Sequence, residues 1–135
     1  MKTLLVDNDQ TLLEHCVARM GGRQHLTLAT SKAQTMELLG DGTAFDVVVA
    51  CERLEDGSGL ALLDEIHAAW PHLIRVFCTD RQRLALVRNR LGALRLRYTL
   101  TYPIKPAILE LMLLQLARAK AATGRRLRTP RRPAG

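Results

Sequence analysis

Four polar side chains able to carry chemistry stand at or near the ends of short apolar runs: Asp7, Cys51, Thr79 and Tyr102. A carboxylate can hold a hard cation such as Mg²⁺, and a thiol becomes a nucleophile once it is ionised. If the apolar runs are parallel strands, their carboxyl ends meet at one edge of a sheet, where open α/β sheets place their ligand crevice. The sequence therefore predicts one crevice that collects these four side chains.

Five short apolar runs supply the predicted strands: Lys2–Val6, His25–Ala29, Phe45–Ala50, Leu73–Cys78 and Leu96–Tyr102. Apolar residues at helical spacing follow each run, and the last helix is predicted to open at Pro106 and to run to about Ala122. The element order is therefore (βα)5. Because right-handed crossovers place helices on both faces, we predict an α/β fold with a doubly wound, flavodoxin-like parallel sheet in strand order 2-1-3-4-5.

The composition is that of one globular domain with an aliphatic core. The chain has 135 residues, of which 47% are hydrophobic and 4% aromatic, and no apolar run is long enough to span a bilayer. The first ten residues already include an acidic cluster, unlike a secretory signal, so we expect a cytoplasmic protein. The three cysteines, Cys16, Cys51 and Cys78, are too few and too widely spaced for a disulfide framework or a zinc site. We expect reduced and mostly buried thiols.

The net charge of +7 is concentrated in two places. Residues 123–135 hold five arginines and no acid, and we predict that they form a disordered tail or linker after a domain at 1–122. A second group of six arginines lies between Arg81 and Arg97. Such clusters attract polyanions without reading their sequence, whereas the alternative is an ordinary solvated face.

The predicted strand ends carry a series of motifs. In order they are Leu-Leu-Val-Asp7-Asn8-Asp9, the segment from Phe45 to Gly59, Val-Phe-Cys-Thr79, and Tyr102-Pro-Ile-Lys105-Pro106. Over residues 1 to about 120 this series resembles the receiver domains of bacterial response regulators, the CheY-like family. The resemblance implies an aspartate at the end of strand three that takes a phosphoryl group beside Mg²⁺. It also implies a lysine that pairs with that group, and a hydroxyl and an aromatic side chain that respond to it.

Two positions depart from the family pattern. The phosphoacceptor position falls on Cys51, and the second position of the acidic pair falls on Asn8, whereas Asp7 keeps the first. Mg²⁺ prefers oxygen ligands, usually including one or two carboxylates, and a thiol is a poor ligand for it. We therefore predict a degenerate phosphorylation site with no bound metal, no cofactor and no catalytic residue.

The remaining positions of the family's site are matched. Thr79, Tyr102 and Lys105 correspond to the switch hydroxyl, the switch aromatic and the lysine. Because one carboxylate of the acidic pair is missing, we expect Lys105 to pair with Asp7 and to leave the pocket in one state. Asp80 directly follows Thr79 and is expected to repel an anion from the phosphate position.

Other acceptors and another chemistry remain open. A thiolate at Cys51, activated by the nearby lysine, would suit a thiophosphate, a thiol enzyme or a redox sensor, although no histidine is placed as its base. Among the neighbouring carboxylates, Asp46 is expected at the wrong end of the strand and Asp56 out on the loop. Glu52 is expected to point away, because side chains alternate along a strand.

The last helix carries two apolar stripes. The first comprises Ile108, Leu111 and Met112 with Gln115, and the second comprises Leu109, Leu113 and Leu116. One stripe suffices to cover the sheet, so we predict that the second forms an interface of helix four, strand five and helix five, with a rim of Arg83, Arg88 and Arg90. Receivers use this surface for dimers, so the resemblance implies a homodimer or a protein partner. A deeply buried helix is the alternative.

The leading functional hypothesis is an atypical receiver domain of two-component signal transduction that acts by protein–protein contact without phosphorylation. The alternative is a binding module for a phosphate-rich ligand, a nucleic acid or a cyclic dinucleotide, held by the Arg81–Arg97 cluster and the basic tail. No aromatic platform accompanies these arginines, so base stacking is poorly provided for. Neither hypothesis involves a membrane.

Overall fold

The computed structural model describes residues 1–21 and 25–127 of the chain. Within those residues the parallel strands are β1 (Lys2–Val6), β2 (His25–Ala29), β3 (Val47–Cys51), β4 (Ile74–Thr79) and β5 (Tyr98–Thr101). The helices are α1 (Gln10–Met20), α2 (Lys32–Gly40), α3 (Gly59–Ala69), α4 (Arg81–Ala93) and α5 (Pro106–Leu127). The two kinds of element alternate along the chain, as the apolar runs predicted.

The five strands form one parallel sheet in the order β2-β1-β3-β4-β5. This order confirms the predicted doubly wound, flavodoxin-like fold. The central strand β3 is buried at every position, which explains its continuous run of β-branched residues. The edge strand β5 is shorter than predicted, because Leu96 N donates to Leu91 O at 2.9 Å and so belongs to the end of α4.

A short antiparallel hairpin, which the sequence pattern did not predict, follows β3. It pairs Arg53–Leu54 with Gly57–Ser58 and returns the chain to the end of β3, where Gly59 N donates to Glu52 O at 2.7 Å. A Cβ atom at Gly59 would lie only 1.7 Å from Cys51 O. Only glycine permits this approach, and the contact fixes the loop that follows β3.

Polar side chains cap four of the helices. The N-cap residues are Asp9, Ser31, Ser58 and Asp80, and each accepts a hydrogen bond from the backbone N–H three residues later. The helix α5 begins instead at Pro106, where the missing N–H would have no helical partner. Because each of these helices follows a strand of the parallel sheet, all four caps lie on the carboxyl side of the sheet, and Asp9 and Asp80 line the crevice described below.

The helix α5 contacts the sheet with the stripe that we had predicted to form an interface. Leu109, Leu113 and Leu116 are 1%, 0% and 5% exposed and belong to the apolar layer between the sheet, α1 and α5. The prediction is therefore wrong for these three leucines. The physical reason is that Gln115 interrupts the other stripe, whereas three leucines fill the core without burying a polar group. Ile108 and Leu111 are instead about half exposed.

The helix α5 ends at Leu127, beyond the end predicted at Ala122. The predicted boundary between the domain and the tail therefore falls inside a helix, and residues 128–135 lie outside the described residues. Among the residues described, no helix is both long enough and apolar enough to cross a membrane.

Two buried threonines offer a matched test of the core. Thr3 in β1 is fully buried, and its Oγ1 has no hydrogen-bond partner among the described residues. Thr35 in α2 is equally buried, but its Oγ1 donates to Ser31 O at 2.8 Å. We expect Thr3→Val to raise the free energy of unfolding by about 1 kcal/mol, because it removes an unsatisfied hydroxyl. Thr35→Val should lower it by about 1 kcal/mol, and equal effects in urea unfolding would contradict the assignment.

Candidate functional site at the carboxyl edge of the sheet

A crevice of about 390 Å³ lies at the carboxyl ends of β1, β3 and β4. It is lined by Asp7, Asn8, Asp9, Cys51, Glu52, Arg53, Thr79, Asp80, Arg83 and Tyr102. Five of the six predicted residues of the degenerate site are in this lining. The sixth, Lys105, is not, so the sequence located the crevice but misplaced its lysine.

Cys51 is a buried, hydrogen-bonded thiol at the end of β3. It is 4% exposed, and its Sγ donates to Arg53 O at 3.0 Å. Burial and, to a smaller extent, the negative charge of Asp7 raise the pKa of the Cys51 thiol to about 11. The thiol is therefore neutral near pH 7, which is the opposite of what a nucleophile requires.

Asp7 is held by Tyr102 and not by a lysine. The Tyr102 hydroxyl donates to Asp7 Oδ2, and Asp9 N donates to Asp7 Oδ1 at 2.9 Å. Burial and the hydrogen bond to Asp7 both raise the pKa of Tyr102, so its hydroxyl keeps its proton. The carboxylate is only 2% exposed, and these two donors satisfy it.

The predicted Lys105–Asp7 pair is wrong. Lys105 is exposed and lines a separate groove with Leu100, Ile104 and Ile108. No carboxylate among the described residues lies within 4 Å of its ammonium group. Because Tyr102 already occupies the open side of Asp7, a lysine there would compete with a hydrogen bond that is already made.

Glu52 enters the crevice, contrary to the prediction that it points away. Thr79 Oγ1 donates to Glu52 Oε2 at 2.5 Å, and Arg83 Nε donates to Glu52 Oε1. Strand alternation fails as a guide here because β3 ends at Cys51, one residue earlier. Arg83 therefore belongs to the crevice and not to the rim of the predicted interface.

The other two carboxylates weighed as substitutes are engaged elsewhere. Asp46 accepts from Lys2 N at 2.7 Å and pairs with Lys120, at the end of β3 opposite the crevice. Asp56 accepts from Lys32 N at 2.7 Å and Ala33 N at 3.0 Å. Neither lines the crevice, as the sequence had indicated.

The crevice has an excess of negative charge. Its lining includes four carboxylates, from Asp7, Asp9, Glu52 and Asp80, and two guanidinium groups, from Arg53 and Arg83. A phosphate group entering this space would meet more anions than cations, and like charges repel most strongly where water is partly excluded.

The residues present do not fit the Mg²⁺ ion that the receiver resemblance implies. The Asp7 carboxylate is occupied by two donors, and the acceptor position offers a thiol, which is a poor ligand for a hard cation. The carboxylates of Asp9 and Asp80 accept from backbone N–H groups as helix caps. Within the described part of the chain, no three His, Cys, Asp or Glu side chains are grouped so that they could hold a metal ion.

The state of Cys51 can be tested by alkylation. With a pKa of about 11, about one thiol in 10⁴ is ionised at pH 7. We expect iodoacetamide to modify Cys51 at least 100-fold more slowly than a cysteine in an unstructured peptide at pH 7. The rate should rise as the pH approaches 11, because the thiolate is the reactive form, and peptide mapping separates Cys51 from Cys16 and Cys78. Modification at the peptide's rate at pH 7 would contradict a buried, neutral thiol.

Comparison with known proteins gives a consistent result at the level of the fold. No protein-family model matches this chain, and no curated protein sequence matches it. Solved structures, in contrast, match this chain in fold. The signal receiver domain of an HD domain-containing protein from Pseudomonas fluorescens Pf-5 is 24% identical, with a TM-score of 0.79 and coverage of 93% of this chain and 92% of that one. The non-phosphorylated HemR receiver domain from Leptospira biflexa is 26% identical, with a TM-score of 0.71 and coverage of 85% and 92%.

A third neighbour belongs to a family of redox sensors in the streptococci that evolved from two-component response regulators. It has a TM-score of 0.81 at 10% identity and covers 93% of this chain but 55% of that one. The strand order of this chain, the crevice at the carboxyl edge and these neighbours lead to one conclusion. This chain has the fold of a response-regulator receiver domain.

Proposed function

We propose that this receiver-type domain works in two-component signal transduction through protein contacts, without being phosphorylated. The observation that carries the proposal is that Glu52 already occupies the crevice as the partner of Thr79 and Arg83. In the receiver family, the corresponding threonine hydroxyl bonds the phosphoryl group. Here a carboxylate of the chain itself, that of Glu52, accepts the hydrogen bond from this hydroxyl, and Arg83 supplies the cation that balances its charge.

Both switch side chains thus have internal partners. Thr79 donates to Glu52, and Tyr102 donates to Asp7. A phosphoryl group would have to displace the Glu52 carboxylate from two donors and enter a crevice that already holds more acids than bases. This arrangement supports a crevice with one state, stabilised by the chain's own side chains.

The chemistry of position 51 supports the same proposal. A thiol cannot form an acyl phosphate. The raised pKa of Cys51 also keeps the thiol protonated, so it is a poor nucleophile toward a phosphodonor. The same property disfavours the redox alternative, although Cys51 and Cys78 are register partners on β3 and β4. Both thiols are buried, and burial raises the pKa of each, whereas redox-sensing cysteines are exposed and easily ionised.

Incubation with a phosphodonor tests the proposal directly. After treatment with acetyl phosphate and MgCl₂, we expect the intact mass to show no added phosphoryl group, because the acceptor carboxylate and the metal ligands are missing. A receiver domain that keeps the acceptor aspartate, treated in parallel, provides the positive control. Labelling of this chain at any residue would overturn the proposal.

The surface proposed for protein contact lies along the edge strand β5. The β5-edge patch consists of Leu100, Ile104, Ile108 and Leu111. Ile108 and Leu111 are 50% and 51% exposed, and the first three residues line one groove with Lys105. The patch replaces the buried leucines of α5 as the apolar centre of the predicted interface.

We propose a second copy of the chain as the occupant of the β5-edge patch. A two-fold interface must be complementary to itself, and among the residues that line the groove only Lys105, which is exposed, carries a charge. Two copies can therefore meet at the apolar centre without burying like charges. The predicted rim residues Arg88 and Arg90 are exposed on α4, and their place in an interface remains a prediction.

Sedimentation tests this surface. We expect the chain to form a dimer at micromolar concentration. We expect Ile108→Arg to shift it to the monomer, because the substitution places a positive charge from each copy at the centre of the interface, and these like charges repel. Val17→Arg, at a half-exposed position on α1, is the matched control and should leave the dimer intact. A monomeric wild-type chain, or equal loss in both variants, would contradict a dimer at the β5-edge patch.

A further inference from the structure

A second cavity, of about 370 Å³, lies at the edge of the sheet opposite the crevice, where β4 and β5 begin. Its lining consists of His67, Pro71, His72, Leu73, Ile74, Arg75, Arg95, Arg97 and Tyr98. Three arginines and two histidines are present, and no carboxylate is. We call this space the basic cavity.

Arg75 is the buried member of the basic cavity. It is only 6% exposed, and its guanidinium donates to three carbonyl oxygens: Leu63 O at 3.0 Å, Leu94 O at 2.9 Å and Arg95 O at 3.1 Å. A guanidinium has five N–H groups, so at least two of them have no protein acceptor among the described residues. These contacts hold Arg75 in one position, as a binding group requires.

The charge of Arg75 is not neutralised by an ion pair. Burial lowers the pKa of Arg75, because removing the guanidinium from water disfavours its charged form. The negative charge of Asp64 on α3 acts in the opposite direction and partly offsets this effect. Within the described residues, no carboxylate lies within 4 Å of Arg75, Arg95 or Arg97. Three permanent cations therefore share one cavity without a bound anion from the chain.

Arg95 adds an independent observation, because its backbone adopts a conformation that usually requires glycine. Its φ is 58°, in the left-handed region that disfavours residues with a Cβ. The position follows the C-cap of α4, where Leu96 N donates to Leu91 O and Arg95 N donates to Gly92 O, an arrangement that glycine normally completes. Strain of this kind at a residue other than glycine is typical of functional positions, which supports a role for the Arg95 side chain.

We infer that the basic cavity binds a small anionic molecule through a phosphate group. Its volume is in the range of small-molecule sites, and guanidinium groups match the geometry of phosphate oxygens. Imidazole N–H groups of His67 and His72 can add donors, and the half-buried Tyr98 offers an aromatic surface beside them. The inference does not depend on the proposed signalling function.

The same geometry separates the arginines that the sequence grouped between Arg81 and Arg97. Arg83 lies at the start of α4 and is bound to Glu52 in the crevice, whereas Arg95 and Arg97 line the basic cavity after its end. The 13-residue helix between them spans about 20 Å. The group therefore does not act as a whole, because Arg83 is paired in the crevice while Arg95 and Arg97 join Arg75 in the basic cavity.

Titration calorimetry with inorganic phosphate and with adenosine monophosphate, at constant ionic strength, tests the basic cavity in the full chain. We expect saturable one-to-one binding and at least a tenfold weaker affinity in Arg97→Gln, because one charge-assisted hydrogen bond is lost. Tighter binding of adenosine monophosphate would identify an organic phosphate as the ligand, whereas equal affinities would identify the phosphate group alone. Arg88→Gln, which removes the same charge from the exposed face of α4, should bind like the wild type.

Arg95→Gly separates binding from stability. Because glycine adopts a positive φ without strain, we expect this variant to unfold about 2–4 °C higher and yet to bind phosphate at least tenfold more weakly. Absence of saturable binding in the wild type would overturn the inference. So would equal loss in Arg88→Gln and Arg97→Gln, since that result would reflect attraction to net charge alone.

Discussion

The carboxylate of Glu52 is the group on which the arrangement of the crevice depends. Its side chain is only 16% exposed, and a carboxylate removed from water must find hydrogen-bond donors. It finds them in the hydroxyl of Thr79, at the end of β4, and the guanidinium of Arg83, in the first turn of α4. One side chain thereby connects the exit of β3, the end of β4 and the start of α4. These are the elements that border the position a phosphoryl group would take.

The buried Asp7 carboxylate is compatible with this arrangement because the residues at the two neighbouring family positions, Cys51 and Asn8, are neutral. Two carboxylates sharing a small site repel each other and raise one another's pKa. With a protonated thiol at position 51 and an amide at position 8, Asp7 has no such neighbour at either family position, and Tyr102 and Asp9 N supply its donors. The departures at Cys51 and Asn8 therefore belong together. Each removes a negative charge that Mg²⁺ would otherwise have to balance.

The sequence predicted the sheet order and most of the crevice because both depend on local patterns. Apolar runs identify strands wherever helices cover both faces, and polar residues after such runs must meet at the carboxyl edge. The errors arose where tertiary packing decides between equivalent local patterns. Both stripes of α5 are apolar. Gln115, which lies in the first stripe, was the one signal that favoured burial of the leucine stripe. The direction of Glu52 was predicted wrongly because β3 ends one residue before it. The pairing of Lys105 was predicted wrongly because the motif does not indicate which donor Asp7 binds.

The helix α4 connects the two cavities, and an arginine fixes each of its ends. Glu52 binds Arg83 in its first turn, and Arg75 donates to the carbonyls of Leu94 and Arg95 just after its last turn. A helix transmits displacement between its ends because its backbone hydrogen bonds keep its length fixed. In a receiver that takes no phosphate, the crevice cannot receive the signal by the family's chemistry. Under the proposed function, an anion that binds Arg75, Arg95 and Arg97 would instead act on the far end of the same helix, which gives a ligand a route to α4 that does not pass through the crevice.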